Sequence, residues 1–242
     1  MSGPRLPSRF QAGWSHLVAW VFDRVYLRTK VIGRSNVPKR GPAILAGNHT
    51  GLADGPVVLG AAPRGVHFIM KWSLGQGLGG KILRAAGQVP LARDNGRDAL
   101  RTCLELLDEG RLVGIFPEGT RGDGKMRQIH PGVAWLAVAS GAPVIPFACL
   151  GTRRQGESAS HFPPFWRRLY VSFGPPVELD LPASASRRER IAAALEQIGP
   201  AIANQVEAAV GASGIPLPTD TGRRERSRVD TASGKSPRSR GR

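Results

Sequence analysis

The sequence contains few cysteines and few acidic residues. Its two cysteines, Cys103 and Cys149, sit in apolar settings and lack the close pairing of zinc ligands. We therefore expect reduced core thiols, a reducing compartment and no metal site. Acidic residues number 18 against 34 basic ones, so the formal net charge is +16. Such an excess predicts an anionic partner: phosphate headgroups, an acidic carrier protein, a coenzyme phosphate or nucleic acid.

The chain also lacks an uninterrupted apolar segment that would suit a membrane-spanning helix. Its longest uncharged stretch runs from Gln128 to Thr152, which is long enough for a span. However, Gly141, Pro143 and Pro146 interrupt it, and such residues favour turns over helix interiors. The stretch therefore predicts a helix, a turn and a buried strand. The N-terminal residues do not have the pattern of a cleaved signal peptide.

Two kinds of motif are missing from the sequence. There is no Gly-x-Ser-x-Gly nucleophile elbow, and Cys103 falls on the apolar stripe of its predicted helix. The sequence therefore offers no good candidate for a covalent nucleophile. The chain has no recognisable nucleic-acid-binding module, and its basic C-terminal residues have no interleaved aromatics, so we expect no nucleic-acid partner.

Short apolar runs that end in turn residues alternate with helical patterns. The runs cover residues 43–46, 66–70, 89–91, 112–116, 144–149 and 169–173. Helices are predicted over 100–107 and 133–139, and a capping box at Ser186 and Glu189 opens a last helix that Gly199–Pro200 should break. This alternation predicts an α/β fold, with one domain over residues 31–218 and a mixed, largely parallel sheet flanked by helices.

Residues 1–30 are predicted to form a loose start followed by an amphipathic helix. Apolar residues recur there at helical spacing, and basic residues follow. They are Trp14, Leu17, Val18, Val21, Phe22 and Val25, then Arg24, Arg28 and Lys30. The pattern is typical of a helix that lies in a membrane interface with its cations on anionic headgroups. The alternative is an ordinary helix that packs on its own domain.

Residues 219–242 contain almost no apolar side chains. They carry eight basic and three acidic residues, which contribute 8 − 3 = +5 and leave 16 − 5 = +11 for the remainder of the chain. This composition predicts a disordered basic tail.

The block Asn-His-Thr-Gly-Leu-Ala-Asp at residues 48–54 follows the first apolar run. In one continuous helix His49 and Asp54 would lie about 140° apart around the axis and could not meet. They can meet if His49 lies in the turn after the strand and Asp54 in the first turn of the next helix, and Gly51 would help such a turn. The carboxylate would then orient one imidazole nitrogen and leave the other to take a proton.

The block Phe-Pro-Glu-Gly-Thr-Arg at residues 116–121 follows another strand directly. Ligands bind at strand ends in α/β sheets. Gly119 allows close backbone approach, Thr120 offers a hydroxyl, and Arg121 offers a planar fork that suits phosphate oxygens. Glu118 is placed to hold the loop or Arg121. The alternative is a capped turn with a surface arginine.

Four blocks taken together resemble the glycerolipid acyltransferase family, which includes the 1-acylglycerol-3-phosphate acyltransferases. The matches are Asn48, His49 and Asp54, then Gly87 with Arg93, then the unchanged block at 116–121, then the proline-containing strand at 142–147. Their order and spacing also agree, over about residues 31–180. One departure is Gly51, where many members have serine, but it removes neither the histidine nor its carboxylate partner.

The resemblance implies a role for each block. His49 would deprotonate the acceptor hydroxyl, which attacks a thioester carbonyl directly, with Asp54 as its partner. Arg93 and Arg121 would bind the acceptor phosphate, together with the rest of the third block. The fourth block, Pro143, Val144, Ile145 and Pro146, would contact the acyl donor or line the acyl channel. Lys71, at the end of the run 66–70, is a third candidate cation for the phosphate, or else a solvated strand end.

The expected function is therefore O-acyl transfer to the free hydroxyl of 1-acyl-glycerol 3-phosphate, giving phosphatidic acid. The donor would be acyl-CoA or acyl carrier protein, with no other cofactor, and the protein would bind peripherally to the anionic cytoplasmic face of the cell membrane. One alternative is the same chemistry on another lysophospholipid, a glycolipid or an aminolipid. An alternative of another class is a non-catalytic basic protein that binds membranes or nucleic acid.

Overall fold

One mixed β-sheet organises the chain. The computed structural model describes residues 6–70, 77–91 and 96–222. The strands in these residues are β1 Arg28–Ile32, β2 Ala43–Gly47, β3 Val66–Met70, β4 Val89–Pro90, β5 Leu112–Ile115, β6 Val144–Leu150 and β7 Arg168–Phe173. Their order is β1-β7-β6-β2-β5-β3-β4, and every neighbouring pair is parallel except β6 with β7. The predicted α/β fold with a mixed, largely parallel sheet is confirmed, but the sequence patterns did not predict β1.

Helices cover both faces of this sheet. They are α1 Arg9–Tyr26, α2 Asp54–Ala61, α3 Gly77–Ala85, α4 Gly96–Asp108, α5 Gly132–Ser140 and α6 Arg187–Ser213. One apolar core, which includes Phe68 and Phe147, lies on the face that α1 and α2 cover. A second core, which includes Leu136 and Ile198, lies under α4, α5 and α6. Strands covered on both faces are apolar throughout, and β2 and β6 are accordingly buried along their whole length.

The strand directions bring the candidate residues to one edge of the sheet. β2 lies between β5 and β6 and is parallel to both, so their carboxyl ends coincide. His49 follows β2, Phe116 follows β5 and Thr152 follows β6. Pro143 precedes β6, and its carbonyl accepts the N–H of Ile44 at the start of β2 at 2.9 Å. Pro143 therefore lies at the opposite edge.

Helix α1 turns small residues inward and large apolar residues outward. Ala12 and Ser15 are buried against the domain. A Cβ at Gly60 or Gly65 would lie 2.8 Å or 2.5 Å from the α1 backbone, so these glycines allow the helix to approach closely. The exposed apolar side chains are Phe10, Leu17, Val18, Trp20, Val21 and Val25, whose exposed fractions run from 37% to 78%. The apolar stripe predicted from the sequence thus faces away from the domain over most of its length.

Helix α6 continues through Pro200, so the predicted break at Gly199–Pro200 is wrong. Ser186 opens the helix through the predicted capping box. Ile198 and Ile202 lie on either side of the proline, and both are fully buried. Packing of both halves of the helix on one core offsets the hydrogen bond that proline cannot donate.

The packed chain extends beyond the predicted boundary at residue 218. The N–H of Thr219 donates to Gln155 Oε1 at 2.7 Å, and Asp220 forms an ion pair with Arg153. The predicted disordered tail therefore starts too early, because residues 219–222 are bonded to the loop between β6 and β7. The remainder of that tail, 223–242, lies outside the described residues.

The uncharged stretch at 128–152 folds as predicted. It forms α5, a turn at Gly141 with φ +66°, and the buried strand β6. Within the described residues, no helix combines the length and the apolar character that a membrane crossing requires.

Candidate active site

His49 and Asp54 lie side by side at the carboxyl end of β2. His49 is in the turn after the strand, and Asp54 is the first residue of α2. The imidazole Nδ1 is 2.8 Å from the carboxylate Oδ2. The same oxygen accepts the N–H groups of Thr50 at 2.7 Å and Gly51 at 2.9 Å. The arrangement predicted from the spacing of the two residues is therefore confirmed.

The Asp54 carboxylate is fully buried, and burial of a charge is costly unless hydrogen bonds replace the lost water. Besides the three donors to Oδ2, the hydroxyl of Thr152 donates to Oδ1. The carboxylate also lies in the first turn of α2, where the helix dipole favours a negative charge. A carboxylate can only accept hydrogen bonds, so Nδ1 of His49 is the donor, and in the neutral imidazole this tautomer places the lone pair on Nε2.

An aromatic stack fixes the plane of the imidazole. The rings of His49 and Phe116 are 4.1 Å apart at 16°, and the rings of Phe116 and Phe68 are 5.2 Å apart at 15°. Gly114 makes room for this stack, because a Cβ there would lie 2.3 Å from the Phe68 ring. The His49 side chain is 19% exposed, and within the described residues no hydrogen bond to Nε2 is recorded. The imidazole is thus held on one face and at Nδ1, which leaves the Nε2 edge for a substrate.

The loop after β5 folds back onto His49. The N–H of Gly122 donates to the His49 carbonyl at 2.9 Å, so the third block and the histidine turn are in direct contact. Gly119 has φ +68°, and its N–H donates to the Phe116 carbonyl at 3.0 Å. A Cβ at this glycine would also lie 2.7 Å from the His130 ring. The backbone conformation therefore favours glycine, and a Cβ would also require the exposed His130 ring to move.

Glu118 lies beneath this loop. Its pKa is raised to about 7, chiefly by burial and less by the negative charges of Asp123 and Asp54, while hydrogen bonds from the Met126 and His49 N–H groups lower it. The Met126 N–H reaches Oε1 at 3.1 Å, and Met126 takes a left-handed φ of +54° to supply it. Glu118 thus holds the loop by accepting backbone N–H groups, which is one of the two roles expected from the sequence.

Arg121 is half-buried at the end of the loop. Its Nη1 donates to the carbonyl of Ala159 at 2.7 Å. A guanidinium has five N–H donors, so this contact leaves most of its donors for a phosphate. Gly119 and Thr120 are exposed beside it. The structure therefore brings His49, Asp54, Glu118 and the Gly119–Thr120–Arg121 segment to one place.

Other predicted site residues do not join this group. Lys71 and Arg93 lie outside the described residues, although β3 and β4 end at the same edge as β2. Val144 and Ile145 are fully buried in the two cores, and with Pro143 they lie at the amino end of β6. Pro146 pairs with Ala46 inside the sheet. Within this block only Phe147 approaches the site, through its ring contact with Phe116, and the expected role of Pro143, Val144, Ile145 and Pro146 towards the acyl donor stays a prediction.

Two contributors to the site were missed by sequence reasoning. Thr152 bonds Asp54, and Arg153 donates from Nε to the Thr50 carbonyl at 2.9 Å. Both follow β6 by two or three residues. The signal that could have found them is their place after a strand predicted to lie in the same sheet as the first block.

The site thus combines a carboxylate-oriented histidine with an arginine-bearing loop at the carboxyl edge of an α/β sheet. A family model described as Acyltransferase matches residues 28–150, and the chain belongs to this family. The resemblance inferred from the four blocks is therefore confirmed.

The proteins similar in sequence to this chain share one activity in their names. The chain is 30% identical over 154 residues to the chloroplastic 1-acyl-sn-glycerol-3-phosphate acyltransferase BAT2 of Brassica napus, covering 60% of this chain and 44% of that protein. It is 32% identical over 125 residues to the 1-acyl-sn-glycerol-3-phosphate acyltransferase of Bacillus subtilis strain 168, covering 50% and 62%. The chain thus spans about half the length of the curated relatives it matches.

A solved structure with the same fold is the 1-acyl-sn-glycerophosphate (LPA) acyltransferase PlsC from Thermotoga maritima. The TM-score is 0.55 at 24% identity, over 79% of this chain and 76% of the other. At this identity the likeness supports the fold assignment alone.

Proposed function

We propose that this protein transfers an acyl group from an acyl thioester to the free hydroxyl of 1-acyl-glycerol 3-phosphate. The observation that carries the proposal is the His49–Asp54 pair, with Nδ1 held at 2.8 Å and the Nε2 edge open beside an arginine-bearing loop. In the proposed role, the pair is a general base and the loop an anion-binding site.

The proposed reaction needs no covalent intermediate. Nε2 of His49 takes the proton of the acceptor hydroxyl as its oxygen bonds to the thioester carbonyl carbon. The imidazolium that forms is stabilised by the buried Asp54 carboxylate. The C–S bond then breaks, and the leaving thiolate takes the proton back from Nε2. The reaction uses the acyl donor, acyl-CoA or acyl carrier protein, and no other cofactor.

The proposed acceptor rests on two grounds: its phosphate charge, which suits an arginine-bearing loop, and the names of the relatives. Arg121 is the proposed phosphate ligand, since a guanidinium suits phosphate oxygens and the next residue, Gly122, bonds the His49 carbonyl directly. The curated relatives described above are all named as 1-acyl-sn-glycerol-3-phosphate acyltransferases. Lys71 and Arg93 remain proposed phosphate ligands, since the strands that precede them end at this edge.

A lipid acceptor requires access to a membrane, and the surface supports peripheral binding at the membrane interface. The apolar side chains of α1 are exposed, as are Phe165 at 62% and Trp166 at 57%. The Trp166 N–H donates to the carbonyl of Tyr26, the last residue of α1, at 2.8 Å. β1 follows α1 and starts beside Arg168, at the edge where β6 ends. The apolar surface therefore reaches the edge that carries His49.

Replacement of His49 tests the general base. We expect His49→Ala to lower kcat by about 10²–10⁴-fold, because no described residue can replace Nε2. The control is His161→Ala, which removes a half-exposed imidazole from the β6–β7 loop. Turnover of His49→Ala equal to that of the control, with both proteins folded by circular dichroism, would refute the assignment.

An acceptor panel tests the substrate. Lysophosphatidic acid, a lysophospholipid with a larger headgroup and a monoacylglycerol would each be assayed with acyl-CoA and with acyl carrier protein. We expect transfer to lysophosphatidic acid to be fastest and Arg121→Ala to raise its KM at least tenfold. The same variant should change the KM for monoacylglycerol by less than twofold. An equal loss for both acceptors would exclude phosphate recognition by Arg121.

A further inference from the structure

Arg153 is a fully buried arginine that the proposed chemistry does not use. Its side chain has an exposed fraction of 0%. Its five N–H donors make five hydrogen bonds, so the donor capacity of the guanidinium is filled. Nε donates to Thr50, Nη1 to Glu157 and the Asp220 carboxylate, and Nη2 to Gly122 and the Asp220 carbonyl. Four of the five acceptors are backbone carbonyls, which places the guanidinium at the junction of four chain segments.

Two of these carbonyls belong to the loops that carry the site. Thr50 directly follows His49, and Nε reaches its carbonyl at 2.9 Å. Gly122 directly follows Arg121, and Nη2 reaches its carbonyl at 2.9 Å. One rigid, planar group therefore joins the loops on which the base and the anion-binding arginine lie, in addition to the direct hydrogen bond from the Gly122 N–H to the His49 carbonyl.

Asp220 supplies the negative charge that this buried cation requires. Its Oδ2 accepts the Gly156 N–H at 2.9 Å and its Oδ1 accepts the Gly222 N–H at 2.7 Å. The Gly156 hydrogen bond and then the contact with Arg153 lower the pKa of Asp220 to about 2. The carboxylate is therefore ionised over the working range of an enzyme near neutral pH.

The same segment also reaches Arg121. The Gly222 carbonyl accepts the N–H of Ala159 at 2.9 Å, and the Ala159 carbonyl accepts Nη1 of Arg121 at 2.7 Å. Hydrogen bonds thus run from Asp220 through Arg153 to Thr50, the residue after His49, and through Gly222 and Ala159 to Arg121. Residues 219–222 are joined to both halves of the site.

We propose that Arg153, held by Asp220 from the C-terminal segment, is a positioning residue that fixes the His49 turn relative to the Arg121 loop. The proposal rests on the proposed acyl transfer for its kinetic consequences, but the loop positions can be measured without activity. A misplacement of about 1 Å at a reacting group can cost about 10²-fold in rate, so loss of the link is expected to lower kcat and not only stability.

Asp220→Asn in the full chain is the first test, because it removes the charge and keeps one carbonyl oxygen. The matched control is Asp180→Asn, which makes the same change at an exposed position before α6. Steady-state kinetics would be measured at a temperature at which circular dichroism shows both variants to be folded. We expect kcat of Asp220→Asn to fall at least tenfold and the acceptor KM to rise severalfold, with no change in the control. A folded Asp220→Asn with kcat and KM within twofold of the parent would overturn the proposal.

Hydrogen–deuterium exchange is the second test. We expect Asp220→Asn to accelerate exchange in peptides that cover 48–54 and 118–124, and not in β2 or α6. Equal acceleration across the domain would show a general loss of stability and would overturn the positioning role. If the parent transfers acyl groups to no acceptor in the panel, the proposed function fails, and this exchange pattern still decides the role of Arg153.

If Asp220→Asn does not fold, Asp220→Glu is measured in the same way. It shifts the charge by one methylene, so kcat is expected to fall about threefold, and an unchanged kcat would overturn the proposal.

Discussion

The raised pKa of Glu118 gives a quantitative prediction for stability. The pKa rises from 4.5 to about 7 on folding, chiefly because the carboxyl is buried. The folded chain therefore holds this proton more tightly than the unfolded chain does. The stability that this provides is fully present below pH 4.5 and is lost as the pH rises through about 7. A shift of about 2.5 units corresponds to about 3 kcal/mol.

Glu118→Gln should remove this dependence, because the amide resembles the protonated acid and its oxygen can still accept the Met126 N–H. Urea unfolding at pH 4.5 and pH 8 would measure the difference in free energy of unfolding between variant and parent. We expect this difference to increase by about 3 kcal/mol in favour of the variant between the two pH values. The control is Glu196→Gln on the exposed face of α6, which also removes one negative charge. A difference that is the same at both pH values, or equal to that of the control, would refute the reasoning.

Two further predictions concern the surface and the C-terminal residues. Replacement of Leu17 and Val21 by serine should weaken binding to phosphatidylglycerol vesicles about tenfold or more, because each side chain inserted into the membrane contributes about 1–2 kcal/mol. The control Ile32→Ser should bind like the parent, and sedimentation with vesicles measures the binding of all three proteins. Equal binding by the parent, the double variant and the control would exclude α1 as the contact. Removal of residues 223–242 should weaken vesicle binding at low salt and preserve turnover in detergent. Removal of residues 219–242 also deletes Asp220 and should lower the turnover in detergent. Equal turnover of the two truncated proteins would contradict the link between Asp220 and Arg153.

The parts of the fold that apolar patterns mark could be predicted. The interior strands follow short apolar runs because both faces of the sheet are covered. β1 could not be recognised in this way. It reads Arg-Thr-Lys-Val-Ile, lies at the sheet edge and alternates between exposed and half-buried positions. The continuous α6 also escaped prediction, since the cost of Pro200 is local and the burial of Ile198 and Ile202 that offsets it depends on the tertiary fold.

The site residues also divide into those whose contacts local geometry predicts and those whose contacts depend on the tertiary fold. His49 and Asp54 are five residues apart, so turn and helix geometry alone could predict their contact. Thr152 lies 98 residues from Asp54, and Arg153 lies 67 residues from Asp220. Such contacts depend on strand order, which the apolar patterns of the sequence do not determine. The place of the fourth block also depends on strand direction, because β6 starts at the edge away from His49, and its expected contact with the acyl donor stays a prediction.

Gly114, which has no side chain, limits how this sequence can vary. The Phe68 ring fills the space in which a Cβ at 114 would lie, and Phe116 rests on that ring beneath His49. A larger residue at 114 is compatible with the fold only if a smaller one replaces Phe68, and the His49 imidazole then loses its aromatic support. Changes at positions 68, 114 and 116 should therefore appear jointly among related chains.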